Sequence, residues 1–511
     1  MELQRLLEAL PEYVVEGDPR VDIAGLSYDS RTVRPGELFF AIRGFQYDGH
    51  DFIPEALNRG AVGAVVERDV PNLPLTVHVS STREALARLA SRFYDDPSKK
   101  LRVIGVTGTN GKTTTTHLIR NILVRAGYEV GLLGTVHNII GGVSEPVKHT
   151  TPESLDLQEL LARLVQAKSD YVVMEVSSHA LELKRVFATE FDVGVLTNIT
   201  QDHLDFHGTF ENYRDAKARL FRGLGQTYQE PLKEGAKRAV VNVDDPAGPY
   251  IIQQCSVEVV TYGVNQRADV WAEDIRVGGH GASFRLWTPQ GTRRLTLNLT
   301  GRFNIYNSLA AIAVGLAEEV PLDVVVAAME DTRGVPGRFE QVDEGQGFTV
   351  IVDYAHTPDG LENILLTARE FTRGRIIVVF GAGGDRDRLK RPVMGEIAAR
   401  YADFSIITSD NPRSEDPEAI IDEIEVGVRR RTEHYARQVD RRQAIAQAIA
   451  MAQPGDVVII AGKGHEDYQI FRDRTIHFDD REVAREILRE RLQSGSGKTS
   501  GSEQHEPNGK G

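Results

Sequence analysis

Residues 103–123, VIGVTGTNGKTTTTHLIRNIL, constrain the fold more than any other stretch of this chain. An apolar run rich in Val and Ile enters a glycine-containing turn. Threonines, followed by apolar residues at helical spacing, leave it. A buried strand that ends in a tight turn and feeds a helix predicts a parallel sheet covered by helices. The same order predicts an anion site, because the helix N-terminus offers backbone N–H groups and a partial positive charge. Gly108 and Gly111 let the backbone come close. Lys112 neutralises phosphate charge, the Thr113 hydroxyl can ligate Mg²⁺, and Thr109, Asn110 and Thr114 complete the loop. Glycine is absent five residues before Gly111, where Val106 stands, so the loop is a variant of the general phosphate-loop pattern. The alternative is an ordinary Gly-rich turn before a helix.

Similar punctuation organises the rest of the chain. With 511 residues, about three domains are expected. Residues 1–99 mix buried strands (GELFFAI, AVGAVVE) with an amphipathic helix (EALARLASRFYDD) and end in the polar DDPSKK. This predicts a small α/β domain. Across 100–331 apolar runs alternate with helical patterns, which predicts a central domain with a parallel sheet. Within it, 256–300 reads as four successive antiparallel strands. After the Gly- and Pro-rich DTRGVPGRFE, residues 332–493 repeat the alternation and predict a C-terminal Rossmann-like α/β domain. Residues 494–511 lack apolar groups and are expected to be disordered.

Composition excludes several classes. The net charge of −14 argues against nucleic acid as a partner. The single cysteine, Cys255, rules out an internal disulfide framework and makes a Cys-based zinc site untenable. The N-terminus has no basic start with a long apolar core, and no apolar run approaches the ~20 residues of a membrane helix. A cytoplasmic protein that binds small molecules, without membrane insertion, is expected.

Further polar groups follow predicted buried strands, where ligands bind in open α/β sheets. Glu175, in MEVSSH with Ser177, Ser178 and His179, supplies a hard oxygen suited to Mg²⁺. TNITQDHLDFHGT gathers Asn198, Asp202, His203, Asp205 and His207, a cluster that could ligate metal or simply form a capped polar loop. Lys217 lies in the next helix. A cation near Mg²⁺ would lower its pKa, and a neutral amine can take up CO2 as a carbamate; a solvated surface lysine is the alternative. In the last domain, Arg386 of GAGGDRDRLKRP and Arg413 of TSDNPRSEDP suit two-pronged capture of a carboxylate; surface or phosphate-binding arginines are the alternative.

TGTNGKTT, HTTPESLDLQ, MEVSSHAL, TNITQDHLDFHGT, YRDAKARLF, GRFNIYN, GRFE, DYAHTP and DNPR occur in that order, and together they resemble the Mur ligase family from the N-terminus to about residue 493. The resemblance implies three domains, for a UDP-linked substrate (1–99), for ATP (100–331) and for an amino acid (332–493). It implies a monomeric, ATP-dependent, amide-forming ligase of peptidoglycan assembly that adds the third amino acid to UDP-N-acetylmuramoyl-L-Ala-D-Glu through an acyl phosphate. Gly108–Thr114 would hold ATP phosphates, and Asn304, Arg338 and Asp353 would contact adenine, phosphate and ribose. Two Mg²⁺ would be served by Thr113 with Glu175 and by His203 with Lys217, the latter as N6-carboxylysine. Lys112, Lys217, His203 and Glu175 would carry catalysis.

The UDP-muramoyl dipeptide would meet Tyr28, Ser30, Phe45, Gln46, Tyr47, Thr150, Thr151, Ser177 and Arg185. Leu183 stands where some relatives carry glutamine. In the family, Asp-Asn-Pro-Arg marks enzymes that use meso-diaminopimelate, so Arg386, Asp410, Asn411, Pro412, Arg413, Gly462 and Glu466 would bind that substrate. Lysine lacks its second carboxylate and would leave an arginine unpaired. A lysine-adding or folylpolyglutamate-type ligase, a small-molecule kinase that stops at phosphoryl transfer, and a non-catalytic nucleotide-gated protein are the alternatives.

Overall fold

A computed structural model of the protein describes residues 1–44, 47–147, 149–225, 233–279 and 281–496. The chain forms two compact units. One comprises 1–274, 284–295 and 303–331; the other comprises 275–283, 296–302 and the described chain from Thr332 onward.

The first unit opens with a five-stranded sheet in the order 14–16, 76–78, 63–66, 37–40, 25–27. Its pairs are parallel except at strand 14–16. The expected amphipathic helix is Thr82–Phe93, whose N-terminus is capped by Ser81 Oγ accepting from the Glu84 N–H at 3.3 Å. Leu86, Leu89 and Ala90 of its apolar face are buried against Leu38, Phe40 and Val65.

The larger sheet has eleven strands. Its middle strands run parallel in the order Glu258–Gly263, Arg238–Asn242, Val193–Leu196, Arg102–Thr107, Tyr171–Glu175, Val130–Leu133. Helices Lys112–Arg125, Ser154–Gln166 and Phe210–Leu224 supply apolar faces to it. Burial on both faces explains why these strands read as continuous apolar runs instead of alternating ones. The chain leaves Arg102–Thr107 toward one side of the sheet, returns beside it as Tyr171–Glu175, and crosses to its other side as Val193–Leu196. Strand order therefore reverses at Thr107, which opens a crevice at the C-terminal strand ends.

One expectation fails here. The first of the four strands assigned as antiparallel, Glu258–Gly263, is parallel to Arg238–Asn242 and, over its last two residues, to the start of Val270–Gly278. Helix Gly248–Gln253 makes the crossover that parallel pairing with Arg238–Asn242 requires. Val270–Gly278, Gly281–Thr288 and Gly291–Leu297 follow as neighbours at the sheet's end.

The second unit carries a six-stranded sheet in the order Glu340–Gln341, Thr349–Asp353, Val457–Ala461, Ile376–Phe380, Phe404–Ile407, Tyr435–Arg437. All its pairs are parallel except the first. Alternate residues enter separate cores. Ile351, Ile376, Val378 and Ile459 pack on one face, while Val350, Val352, Ile377 and Ile460 pack on the other. The expected disordered stretch 494–511 begins inside helix Asp480–Ser496, and 497–511 lie outside the described residues. Among the described residues no helix is long and apolar enough to cross a membrane.

Candidate active site

In the first unit the phosphate loop sits at the C-terminal edge of three adjacent parallel strands. Gly108 and Gly111 have φ of +151° and +84°. A Cβ on Gly108 would lie 1.9 Å from Thr197 Oγ1, and one on Gly111 would lie 2.3 Å from Asn307 Oδ1. Both positions therefore demand glycine for space as well as for conformation. Residues 197–200 brace the loop. The Thr109 N–H donates to the Asn198 carbonyl (2.8 Å), the Asn110 N–H to Asn198 Oδ1 (2.9 Å), and Thr197 Oγ1 to the Asn110 carbonyl (2.7 Å). Thr109 Oγ1 also meets the Tyr213 hydroxyl at 2.9 Å. Lys112 Nζ donates to the carbonyls of Gly108 (2.9 Å) and Thr109 (2.8 Å), which holds its charge over the loop. Asn304 is buried in helix Arg302–Ala317, and Asn307 Nδ2 donates to its Oδ1 at 3.1 Å. That helix thereby stands behind Gly111.

Glu175 ends the neighbouring strand and is 1% exposed. Its Oε1 accepts from the Thr113 hydroxyl (3.0 Å) and from the Thr135 N–H (2.8 Å). A hydroxyl and a carboxylate in contact suit a hard divalent cation that takes its other oxygens from phosphate and water. Among the described residues no group of three or more His, Cys, Asp and Glu stands ready to hold a metal by itself.

Lys217 is not a surface lysine. It is 1% exposed, its Nζ donates to the Gly108 carbonyl at 2.8 Å, and it lies 4.5 Å from the centre of the Tyr213 ring. Burial, and next the Lys112 ammonium, push its pKa well below the ordinary lysine value. As an amine it offers a single nitrogen where Mg²⁺ prefers oxygen; as a carbamate it would bring two oxygens to the loop. His203, in the left-handed region at φ +53°, packs 6.3 Å from the Tyr213 ring centre. Its ring is 4.7 Å from that of His179, and His207 lies 5.6 Å from His179. Burial, then the neighbouring His203, lowers His179 to about 4, which keeps that imidazole neutral. The sequence reading named His179 only as a neighbour of Glu175; the SSH-to-DHLDFH contact is long-range and has no local signal.

The residues assigned to the UDP-linked dipeptide fall into two groups. Thr151 Oγ1 donates to the Glu175 carbonyl (2.9 Å) and accepts from the Ser177 N–H (3.1 Å). Arg185 donates to the Thr151 carbonyl (3.2 Å), and Thr150 Oγ1 accepts from Thr135 Oγ1 (3.2 Å). These four residues therefore converge beside Glu175. Arg185 also pairs with Glu153 at 2.8 Å, a partner that the sequence reading missed. In the small sheet's domain, Tyr28 donates to Asp156 Oδ2 (2.6 Å) and Ser30 to Glu55 Oε2 (2.8 Å). Tyr47 is 70% exposed. Phe45 and Gln46 lie outside the described residues.

In the second unit the remaining candidates gather at one sheet edge, because they follow parallel strands. Asp353 ends its strand and accepts from the N–H groups of Phe339 (2.6 Å) and Ala355 (2.8 Å); burial raises its pKa. The Arg338 guanidinium lies 4.9 Å from the Tyr354 ring centre. Gly381–Asp385 and Asp410–Arg413 pack together so closely that a Cβ on Gly384 would lie 1.9 Å from the Pro412 carbonyl oxygen. Arg413 has φ +52°, and its Nη1 donates to the Gly384 carbonyl at 2.8 Å. Arg386 is exposed. A Cβ on Gly383 would lie 2.9 Å from Arg413 and 3.7 Å from Arg386, so both arginines border one turn. Gly462, at φ +123°, faces Asp410: a Cβ there would lie 2.5 Å from Asp410 Oδ2. Asn411 Nδ2 donates to Glu466 Oε2 at 2.8 Å. The assigned residues of this cluster thus come together, although they span 386–466.

A phosphate loop with its lysine, threonine and partner carboxylate at parallel strand ends defines a nucleotide-binding α/β protein. Comparison with known proteins narrows the class. Family models match as the Mur ligase family catalytic domain over 22–94, the Mur ligase middle domain over 106–315, and the Mur ligase glutamate ligase domain over 337–464. A UDP-N-acetylmuramoyl-L-alanyl-D-glutamate–2,6-diaminopimelate ligase of Geobacillus thermodenitrificans is 51% identical over 96% of this chain and 100% of its own. One of the same name from Syntrophomonas wolfei is 48% identical over 96% of this chain and 99% of its own. A solved structure of a ligase with that name has a TM-score of 0.68 at 34% identity, covering 96% of this chain and 99% of its own. The chain belongs to the Mur ligase family.

Proposed function

We propose that the protein is an ATP-dependent ligase that joins meso-diaminopimelate to the D-Glu γ-carboxylate of UDP-N-acetylmuramoyl-L-Ala-D-Glu, a step of peptidoglycan precursor synthesis. One observation carries the choice of amino acid. Arg386 and Arg413 border the same turn at Gly383, beside the Asn411–Glu466 pair. The Arg413 guanidinium at that turn, with the Arg386 stem bordering it and an amide–carboxylate pair nearby, suits a ligand with a second carboxylate and an ammonium better than it suits lysine. The named relatives support the same reading.

The reaction follows from the groups present. The substrate's γ-carboxylate attacks the γ-phosphorus of ATP, and ADP leaves. The amine of diaminopimelate attacks the resulting acyl carbon, phosphate leaves, and the amine proton is lost. Lys112 and the loop N–H groups hold phosphate charge, and glycines at 108 and 111 let the backbone approach it. Thr113 and Glu175 would hold one Mg²⁺, and His203 with carbamylated Lys217 a second. Magnesium supplies charge neutralisation on the phosphate oxygens. The neutral amine of Lys217 attacks CO2 and releases a proton to form the carbamate, which its depressed pKa favours. Arg185, Thr150, Thr151 and Ser177 would orient the dipeptide end, and Tyr28, Ser30 and Tyr47 the uridine end. Asn304, Arg338 and Asp353 would contact the nucleotide. The division 1–99, 100–331 and 332–493 assigns these three tasks to three domains, and the protein works as a cytoplasmic monomer.

Phosphate release is measured with ATP, Mg²⁺ and the UDP-dipeptide, comparing meso-diaminopimelate with L-lysine and weighing the product. Release with diaminopimelate and a tripeptide product is expected. Release with lysine alone would overturn the specificity, and a phosphorylated dipeptide as final product would favour a kinase.

A further inference from the structure

The strand Val457–Ala461 ends in a turn whose second residue, Lys463, has no role in the reaction described above. Its side chain is 0% exposed, so it cannot touch a substrate. A lysine so fully withdrawn from water needs partners that offset the loss of hydration. Two of its contacts are in the amino-acid cluster: Nζ lies 3.3 Å from Asn411 Oδ1 and 3.3 Å from Glu466 Oε2, and it stands 5.3 Å from the Tyr468 ring centre. The Ile470 N–H donates to the same Asn411 oxygen at 3.0 Å. The Asn411 amide is thereby set in one orientation. Its oxygen faces two donors, and its Nδ2 donates to Glu466 Oε2 at 2.8 Å. Lys463, Asn411 and Glu466 close a triangle in which each member fixes the other two. The backbone reinforces it, since the Glu466 N–H donates to the Lys463 carbonyl at 2.9 Å.

We infer that Lys463 is the positioning residue for the amine substrate: it fixes the Glu466 carboxylate in one place, so that Glu466 meets the amino-acid centre in one geometry. The inference rests on the reading of Asn411 and Glu466 as substrate contacts. Without the ammonium, Glu466 Oε2 loses its charged donor, and the Asn411 oxygen keeps the Ile470 N–H. The carboxylate is then held by neutral donors alone, the Asn411 amide and the Tyr468 hydroxyl, and its placement loosens.

A double-mutant cycle tests this. Lys463→Met keeps length and apolar volume while removing the charge. In the full-length enzyme it is expected to raise KM for diaminopimelate roughly 10- to 100-fold, with KM for ATP and for the UDP-dipeptide unchanged. Glu466→Gln alone is expected to raise the same KM. In the Glu466→Gln background, Lys463→Met is expected to add little, because its target is already gone. A merely structural lysine would move all three KM values or kcat together, and its effect would add to that of Glu466→Gln; either result overturns the inference. Should Lys463→Met fail to fold, the double variant leaves no unpaired carboxylate and is compared directly with Glu466→Gln by calorimetric titration with diaminopimelate. Equal affinities support the inference, and a further loss refutes it. If the wild-type enzyme uses no diaminopimelate, the proposed function falls first; if it does and Lys463→Met leaves that KM unchanged, only the positioning role falls.

Discussion

Lys217→Met separates the chemistry of the buried lysine from its contribution to folding. In the unmodified chain the change removes one hydrogen bond, from the neutral amine to the Gly108 carbonyl at 2.8 Å, worth about 0.5–1.5 kcal/mol. It also removes the cost of burying a polar amine away from water, the burial that lowers its pKa. The Gly108 carbonyl keeps Lys112 as a donor at 2.9 Å. These effects nearly cancel, so Tm is expected within about 5 °C of wild type or above it. Turnover is expected to fall at least ~100-fold, the cost of deleting one charge-stabilising group at a reacting centre. Phosphate release under saturating substrates and thermal unfolding are measured on the same preparation. Native mass spectrometry is expected to find the mass of one CO2 on wild type and none on the variant. Because the folded pKa lies below the ordinary value of 10.5, the unfolded chain binds more protons between the two. In CO2-free buffer, where the lysine is unmodified, wild-type stability therefore rises with pH through that window, and the variant loses this slope. Retention of more than roughly a tenth of turnover, with an intact fold, would refute the carbamate role.

Three further outcomes are expected. Arg413→Ala should raise KM for diaminopimelate by ~30-fold or more, the cost of unpairing a buried charge partner, and should narrow its preference over lysine in competition assays. Gly111→Ala should weaken ATP binding at least ~10-fold by calorimetry, because the new Cβ meets Asn307 Oδ1 at 2.3 Å and φ is +84°. Acid unfolding should depend on Arg391. Its hydrogen bond holds the Glu415 carboxyl at about 2, against an ordinary 4.5. That stabilisation is fully present above the ordinary value and is lost as pH falls from 4.5 toward 2. Arg391→Met should flatten the unfolding profile across that window.

The order of residues determined by itself the local chemistry. A strand, a glycine turn and Lys112-Thr113 declare an anion site wherever they occur, because the required N–H groups, charge and hydroxyl all lie within seven residues. Apolar runs separated by helical patterns declared the parallel sheets, since only strands buried on both faces read that way. The DNPR and GDRD arginines could be suspected of carboxylate binding, but their meeting at Gly383 could not be read. It arises because Ile376–Phe380 and Phe404–Ile407 are adjacent and parallel, so the turns that follow them share an edge. The burial of Lys217 was equally illegible. Its helix has the alternation of a half-exposed element, and only the packing of that helix against the phosphate-loop strand decides that this lysine points inward to Gly108. Lys463 gave no signal for the same reason: its partner Asn411 is 52 residues away and meets it only through strand order. Local pattern sets what each segment is, while long-range pairing decides which charged groups leave water together, and that second choice sets their pKa values and their roles.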